Sequence, residues 1–426
     1  MRFSISDIIM LIYGTMTVAL FETELCSRCR GRGFCKRPCK IYSKIKDFTP
    51  KTRTHFSGLS PPEIFVGRFN YPNIQAGILS PDDPELTETE DMGMPEIWHE
   101  KRLSISTILS KRSKLIYGKF KTEIKKANIN NKFVNTMQEI SMAYKKVSTE
   151  FFLKKPPQMT FEINKHTPII GNPAQLENIR LEENPKVLPK VNYLVYDTDA
   201  KATTSINELY SSNIPITNIN KILSAGLLGL KINRKLVPTR WSITAVDDTI
   251  SKELLKKIRY YPEISEILLF NSEYNGNHYE IILLPDKFSF EVIEAEMNNG
   301  LWNMTGKISV MQDFEFFHGR KTYANEVTGA YYANRLALCE YLERIKRQGT
   351  AIFMREVSPE YYAPLGVGIL REITREAFKN PPEKFATIDE ALLQAKKRLA
   401  SPIQTWTSCS VLLKEFGKQK KLLKWF

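Results

Sequence analysis

Apolar positions recur along this chain at two spacings, and each spacing predicts an element. SPPEIFVGRFNYPNIQAGILSP (60–81) alternates apolar and polar residues and is broken by Gly67, Pro72 and Gly77, which predicts two short extended pieces. TEFFLKKPP (149–157), VNYLVYD (191–197) and AIFMREV (351–357) read as further strands. EILLFN (266–271) and HYEIILL (278–284) flank Asn275-Gly276, the signature of a tight hairpin turn. Helical periodicity marks 131–146, 204–211, 218–228 and 370–378, with Gly229 as a C-terminal stop signal for the third of these. The longest helix is expected over 325–347, where Val327, Tyr331, Leu338, Leu342 and Ile345 line one face. Gly329 within it lacks a Cβ, which points to close packing or a bound group.

The irregular succession of strands and helices around an antiparallel hairpin predicts a mixed α+β fold with a largely antiparallel sheet. A small four-cysteine knuckle precedes this body, and a flexible C-terminal peptide follows it. The expected divisions are an apolar leader (1–25), the knuckle with a basic linker (26–59), a main α+β domain (60–310), a helical or mixed domain (311–415) and a tail (416–426). The leader's apolar run, Ile8 to Phe21, is too short to span a membrane comfortably, and Met16 is an alternative start. No membrane association is expected, and the location expected is cytoplasmic, next to the nucleoid.

RKLVPTRWSITAVDD (234–248) concentrates charge around an apolar run. Pro238 favours an extended residue before it, so the basic pair is placed on a loop and Trp241–Val246 on a strand. Arg234, Lys235 and Arg240 are candidate phosphate contacts; the competing reading pairs Arg240 internally and uses Asp247-Asp248 to cap a helix starting near Thr249.

Charge sharpens this picture. The 426 residues carry a formal net charge of +14, which suits a polyanionic partner. The excess is local: residues 26–60 hold ten Lys or Arg against Asp47 alone. In that segment Cys26, Cys29, Cys35 and Cys39 form C-x2-C-x5-C-x3-C, a set that suits one structural zinc ion, with an iron–sulfur cluster as the alternative. Arg28, Arg30, Arg32, Lys36 and Arg37 around the knuckle either contact DNA or balance the thiolate charge. At the other end Gln419, Leu422, Trp425 and Phe426 share one helical face, the pattern of a PCNA-interacting peptide that docks into a groove on the sliding clamp.

Familiar catalytic motifs such as the Walker A loop, G-x-S-x-G and H-E-x-x-H do not occur. Asp247-Asp248 and Asp313 with Glu315 are the carboxylates that a metal-dependent nuclease could use. The Arg-Glu pairs at 355–356, 371–372 and 375–376 read as structural ion pairs.

Four stretches together resemble the archaeal Nre family of DNA repair proteins: FVGRFNYPNIQAG (65–77), LSAGLLGLKINRKLVPTRWSITAVDD (223–248), YANEVTGAYYANRLALCEYL (323–342) and MREVSPEYYAPLGVGILRE (354–372). The resemblance runs from Cys26 to Phe426. It implies zinc-finger ligation by Cys26, Cys29, Cys35 and Cys39, and clamp binding through Gln419, Leu422, Trp425 and Phe426. The leader is longer than the family needs, and the tail ends in Trp-Phe where the family has Phe-Phe. The expected function is a DNA-damage repair factor that binds DNA and is recruited by PCNA. A metal-dependent DNA-processing enzyme is the first alternative, and an RNA-binding or RNA-modifying protein the second.

Overall fold

The structure is a computed structural model that describes residues 53–83, 85–157, 169–298, 300, 303 and 307–417. Its first half contains β1 (His55–Ser60), β2 (Ile64–Val66), β3 (Asn73–Pro81), α1 (Pro95–Glu100), α2 (Ile105–Ser113), β4 (Leu115–Glu123), α3 (Lys132–Met142), β5 (Val147–Leu153) and β6 (Asn172–Leu181). Four helices come next, α4 (Pro189–Tyr196), α5 (Ala202–Ser211), α6 (Ile216–Ser224) and α7 (Thr239–Ile258). The second half has β7 (Ile267–Tyr274), β8 (Asn277–Leu284), β9 (Ser289–Glu296), β10 (Ser309–Glu315), α8 (Gly329–Ile345), β11 (Thr350–Val357), α9 (Val367–Ala377) and β12 (Glu383–Phe385). It closes with α10 (Ile388–Lys396), α11 (Gln404–Thr407) and α12 (Val411–Glu415).

The strands form two six-stranded sheets, ordered β1-β5-β6-β4-β3-β2 and β10-β9-β11-β8-β7-β12. Every pairing is antiparallel except β4 with β6 and β9 with β11, so the mixed, largely antiparallel α+β expectation holds. The 310/311 boundary expected from the sequence runs through β10, and the second sheet is laid down by chain on both sides of it.

Alternating side chains give the second sheet two buried faces. Phe270, Ile281, Val292 and Phe353 point toward α8 and α9, together with residues of α1 and α2. Leu269, Ile282, Ile293 and Met354 point the other way, under α10 to α12. The first sheet packs Ile74, Phe120 and Phe151 against α3 to α6. α7 belongs to both units: Val246 and Ile250 join the first core, Leu255 and Ile258 the second. Its 20 residues reach about 30 Å at 1.5 Å per residue, long enough to bridge them.

Two segments differ from the sequence expectation. VNYLVYD is helix α4: Pro189 occupies the first turn, and Val191, Leu194 and Val195 are buried at helical spacing. WSITAV is the start of α7 and not a strand. Pro238 sits at the N-cap with extended backbone, and Ser242, Val246 and Ile250 fall four residues apart against the core. The β-branched run is overruled by tertiary packing, a common outcome for so weak a preference. Asp247 and Asp248 therefore lie inside the helix and cap nothing. α6 also ends earlier than expected, at Ser224, with Gly226 and Gly229 both left-handed beyond it. Gly329 fulfils its packing role at the first position of α8, where a Cβ would come within 2.8 Å of the Val367 side chain.

Candidate nucleic-acid interface

α7 places the conspicuous residues of 234–248 at different depths, and their roles separate accordingly. Arg234 is buried just before the helix. Its guanidinium donates to the carbonyls of Gly229 (2.8 Å), Val195 (2.7 Å) and Asp197 (2.7 Å), tying the end of α4 to the loop before α7. Burial lowers its pKa, with Asp197 acting in the opposite sense. All the direction of that side chain is spent inward, so Arg234 is a structural residue in this fold. Lys235 next to it is exposed.

Arg240 and Trp241 lie in the first turn of α7 and face a loop that joins β2 to β3. Thr239 Oγ1 accepts from the Val66 amide at 2.9 Å and anchors the turn to the strand end. The loop is closed by Gly67 N to Gln75 O at 2.7 Å and by Asn73 N to Asn70 O at 2.8 Å, with Asn70 left-handed. The rings of Tyr71 and Trp241 meet at 5.2 Å, tilted by 57°. Burial lowers the Arg240 pKa, the neighbouring Arg68 lowers it further, and the nearby Tyr323 acts in the opposite sense. Three separate stretches, 67–73, 239–241 and the segment at Tyr323, thus meet at one rim. Behind it lies a cavity of about 80 Å³ lined by Glu63, Arg112, Lys221, Thr239, Ile243 and Arg371.

Two turns further along α7 the charges are all matched. Asp247 is fully buried and accepts from Arg371 Nη1 of α9 at 2.7 Å. Burial raises the Asp247 pKa, and Arg371 and Arg375 act to lower it. Asp248 and Glu315 share one guanidinium, Arg335 of α8, with Arg335 Nη1 at 3.0 Å from Glu315 Oε2. Burial works against the charge on Arg335, and Glu315, Tyr331 and Asp248 more than restore it. Asp313 is bound by Arg320 at 2.8 Å and by the amides of Glu326 and Val327. All four carboxylates considered for metal-dependent chemistry are therefore held by arginines. Among the described residues no group of three or more His, Cys, Asp or Glu could hold a metal ion. Of the Arg-Glu pairs, Arg355 bonds Glu294 and Arg375 bonds Glu340 and Glu372, so their structural reading stands.

Cys26, Cys29, Cys35 and Cys39, the cations Arg28, Arg30, Arg32, Lys36 and Arg37, and the tail residues Gln419, Leu422, Trp425 and Phe426 lie outside the described residues. Sequence reasoning singled out Arg240 but missed Arg68, Tyr71 and Tyr323. The available signal was the R-F-N-Y run (68–71), an arginine interleaved with aromatics, a combination suited to phosphate and base. Among the described residues no helix is long and apolar enough to cross a membrane.

The same stretches carry the likeness to known proteins. The family model described as "Archaeal Nre, N-terminal" matches residues 34–303, and "Archaeal Nre, C-terminal" matches 315–425. A protein of Archaeoglobus fulgidus named DNA repair protein NreB is 36% identical over 404 residues, covering 93% of this chain and 98% of the relative. DNA repair protein NreA of the same organism is 34% identical over 376 residues (88% and 93%). DNA repair protein NreA of Haloferax volcanii is 33% identical over 373 residues (82% and 87%). No solved structure matches. With models matched at both ends and relatives aligned over most of their length, the chain belongs to the archaeal Nre family.

Proposed function

We propose that this chain is a DNA-damage repair factor that binds DNA and is recruited to it by the sliding clamp PCNA. The observation that carries the reading is that relatives named as DNA repair proteins align over as much as 93% of the chain. The net charge of +14 supports DNA as the partner. Lys235 and Arg240, together with Arg28, Arg30, Arg32, Lys36 and Arg37, are the cations assigned to phosphate contact. Arg234 is spent internally and is left out.

Recruitment is assigned to Gln419, Leu422, Trp425 and Phe426. Leu422, Trp425 and Phe426 stand at i, i+3 and i+4, so on one helical turn they form a single apolar plug for a groove. Tethering a weak DNA binder to a clamp already on the duplex raises its local concentration without any new DNA contact. Cys26, Cys29, Cys35 and Cys39 supply four thiolates, a donor set that fits one structural zinc; the ion would supply order to that short segment.

The test is calorimetry of the full chain against purified sliding clamp. Burying two aromatics and a leucine contributes roughly 1.5–3 kcal/mol per side chain, offset in part by ordering the peptide, so micromolar affinity is expected. Trp425→Ala combined with Phe426→Ala should abolish the heat of binding and leave the melting temperature unchanged. Equal heats from both proteins would remove the clamp from the reading, and a lowered melting temperature would assign the aromatics to the protein's own core.

A further inference from the structure

Around the first turn of α7 the surface carries more open aromatic area than the fold needs. Phe69 is 59% exposed, Tyr71 49%, Trp241 44% and Tyr323 42%. Single exposed apolar residues are ordinary, whereas linked groups mark interaction sites. These four are linked: Tyr71 touches Trp241, the Arg68 guanidinium lies 5.2 Å from the Phe69 ring centre, and Arg240, next to Trp241 in the chain, lies within electrostatic reach of both Arg68 and Tyr323. Tyr323 in turn stacks on Tyr332 of α8 at 5.4 Å. The Tyr71–Trp241 pair is tilted and not stacked, and roughly half of each side chain remains in water.

We propose that this rim is a stacking platform for unpaired nucleobases, so that the DNA taken by this protein is single-stranded or locally opened rather than intact duplex. The inference rests on the DNA-binding reading above and specifies its substrate.

Charge and shape select the occupant. Arg68 and Arg240 are near enough for each to feel the other's charge, and neither forms an ion pair with a carboxylate among the described residues. Arg335, Arg355 and Arg371, by contrast, are each matched by an acid. Two adjacent guanidiniums without a countercharge suit a phosphate backbone, and the aromatic faces beside them suit the bases it carries. A paired duplex keeps its base faces stacked inside the helix and would meet only the cations. An opened strand exposes the faces that these rings can cover.

The platform is also held in place before any ligand arrives. Thr239 fixes the helix start to β2, and two backbone hydrogen bonds close the 67–72 loop. A rigid platform loses little conformational freedom on binding, which favours affinity.

The experiment uses the full-length protein with fluorescently labelled oligonucleotides of one sequence: single-stranded DNA, fully paired duplex, duplex with an unpaired internal loop, and single-stranded RNA. The expected result is that single-stranded and looped DNA bind about tenfold or more tighter than duplex, from the stacking of one or more bases. Tyr71→Ala with Trp241→Ala should remove most of that preference and change duplex affinity by less than about twofold, whereas Trp241→Phe, which keeps a ring, should retain it. Equal affinity for open and paired DNA, or equal loss on both in the double variant, overturns the platform and leaves DNA binding standing. Tighter binding of RNA than of DNA overturns DNA as its occupant. No binding to any DNA overturns the platform together with the reading on which it rests. Melting temperatures of the variants, measured alongside, show whether a loss of binding comes from unfolding.

Discussion

Arg240 and Asp247 stand two turns apart on α7, yet the surroundings of the two ends have opposite character. Around Asp247 and Asp248 the charges are desolvated and matched: Arg371 holds one carboxylate, and Arg335 holds the other together with Glu315. Around Arg240 the charges are of one sign, they lie beside open aromatic rings, and the polar neighbour is the Tyr323 hydroxyl in place of an acid. The matched region joins α7, α8, α9 and β10 into one body. The unmatched rim has nothing comparable to do for the fold. A charged residue read from sequence is thus better judged by whether its partner comes from the same chain than by its own type.

The comparison breaks most sharply at Arg371. Arg371→Met should cost about 3–5 kcal/mol at neutral pH, because it leaves the Asp247 carboxylate buried without its countercharge. Asp247 already has a raised pKa in the folded state, and the substitution raises it further. A raised folded pKa penalises the ionised form, so the variant should regain stability as pH falls through that value. Denaturant unfolding at pH 7 and pH 5 checks both the size and the sign. Adding Asp247→Leu should restore most of the loss, since apolar replacement of a buried pair is often neutral.

His278 offers a smaller test within the matched kind of region. Its Nε2 lies 2.8 Å from the fully buried Glu280, which Arg398 also binds. Burial lowers the His278 pKa, but the hydrogen bond and charge of Glu280, with Glu273 and Glu356, raise it more, and the net direction is up. The stability from this pair is therefore complete below the unfolded histidine value of about 6.5 and is lost as pH rises through the folded value. His278→Gln should be more destabilising at pH 5.5 than at pH 8.5, measured by thermal unfolding. An equal cost at both would assign His278 a packing role alone.

The smallest effect on stability should come from the rim. Arg240→Ala and Trp241→Ala should each shift unfolding by less than about 1 kcal/mol, in the range of ordinary surface substitutions. A loss as large as that of Arg371→Met would show that the rim is part of the framework after all, and the contrast between the two ends of α7 would disappear.

Much of the second sheet was legible because its strands announce themselves. Asn275-Gly276 is left-handed at both positions and joins β7 to β8 as its residue types require. α7 and α4 were not legible as helices, because Trp241–Val246 and Val191–Tyr196 are rich in β-branched or aromatic residues and only their packing partners select the helical face. The carboxylates were visible, but their arginine partners were not, because the longest links are far apart in sequence: Arg371 reaches back to Asp247 and Arg335 to Asp248. The rim was half legible. Arg240 and Trp241 stood out in the sequence, whereas Tyr71 and Tyr323 join them only through the turn between β2 and β3 and the segment before α8.

Glu291 of β9 and Glu356 of β11 give the end of the described chain a firm mechanical footing. Glu291 accepts from Ser410 Oγ and from the Val411 and Leu412 amides, and Glu356 accepts from the Ala400 and Ser401 amides. Through these carboxylates the last helical layer is stitched to the outer face of the second sheet, and the position of Gly417 follows that of the sheet. Nine residues remain from there to Phe426, a leash no longer than roughly 30 Å even when pulled straight. Anything gripped at the final residues would ride within that radius of the sheet, held at millimolar local concentration on the order expected for a short linker. Under the clamp-recruitment proposal, so short a reach from a fixed point limits the orientations the body can take, and a mutation at Glu291 would loosen that restriction and leave the peptide's own side chains unchanged.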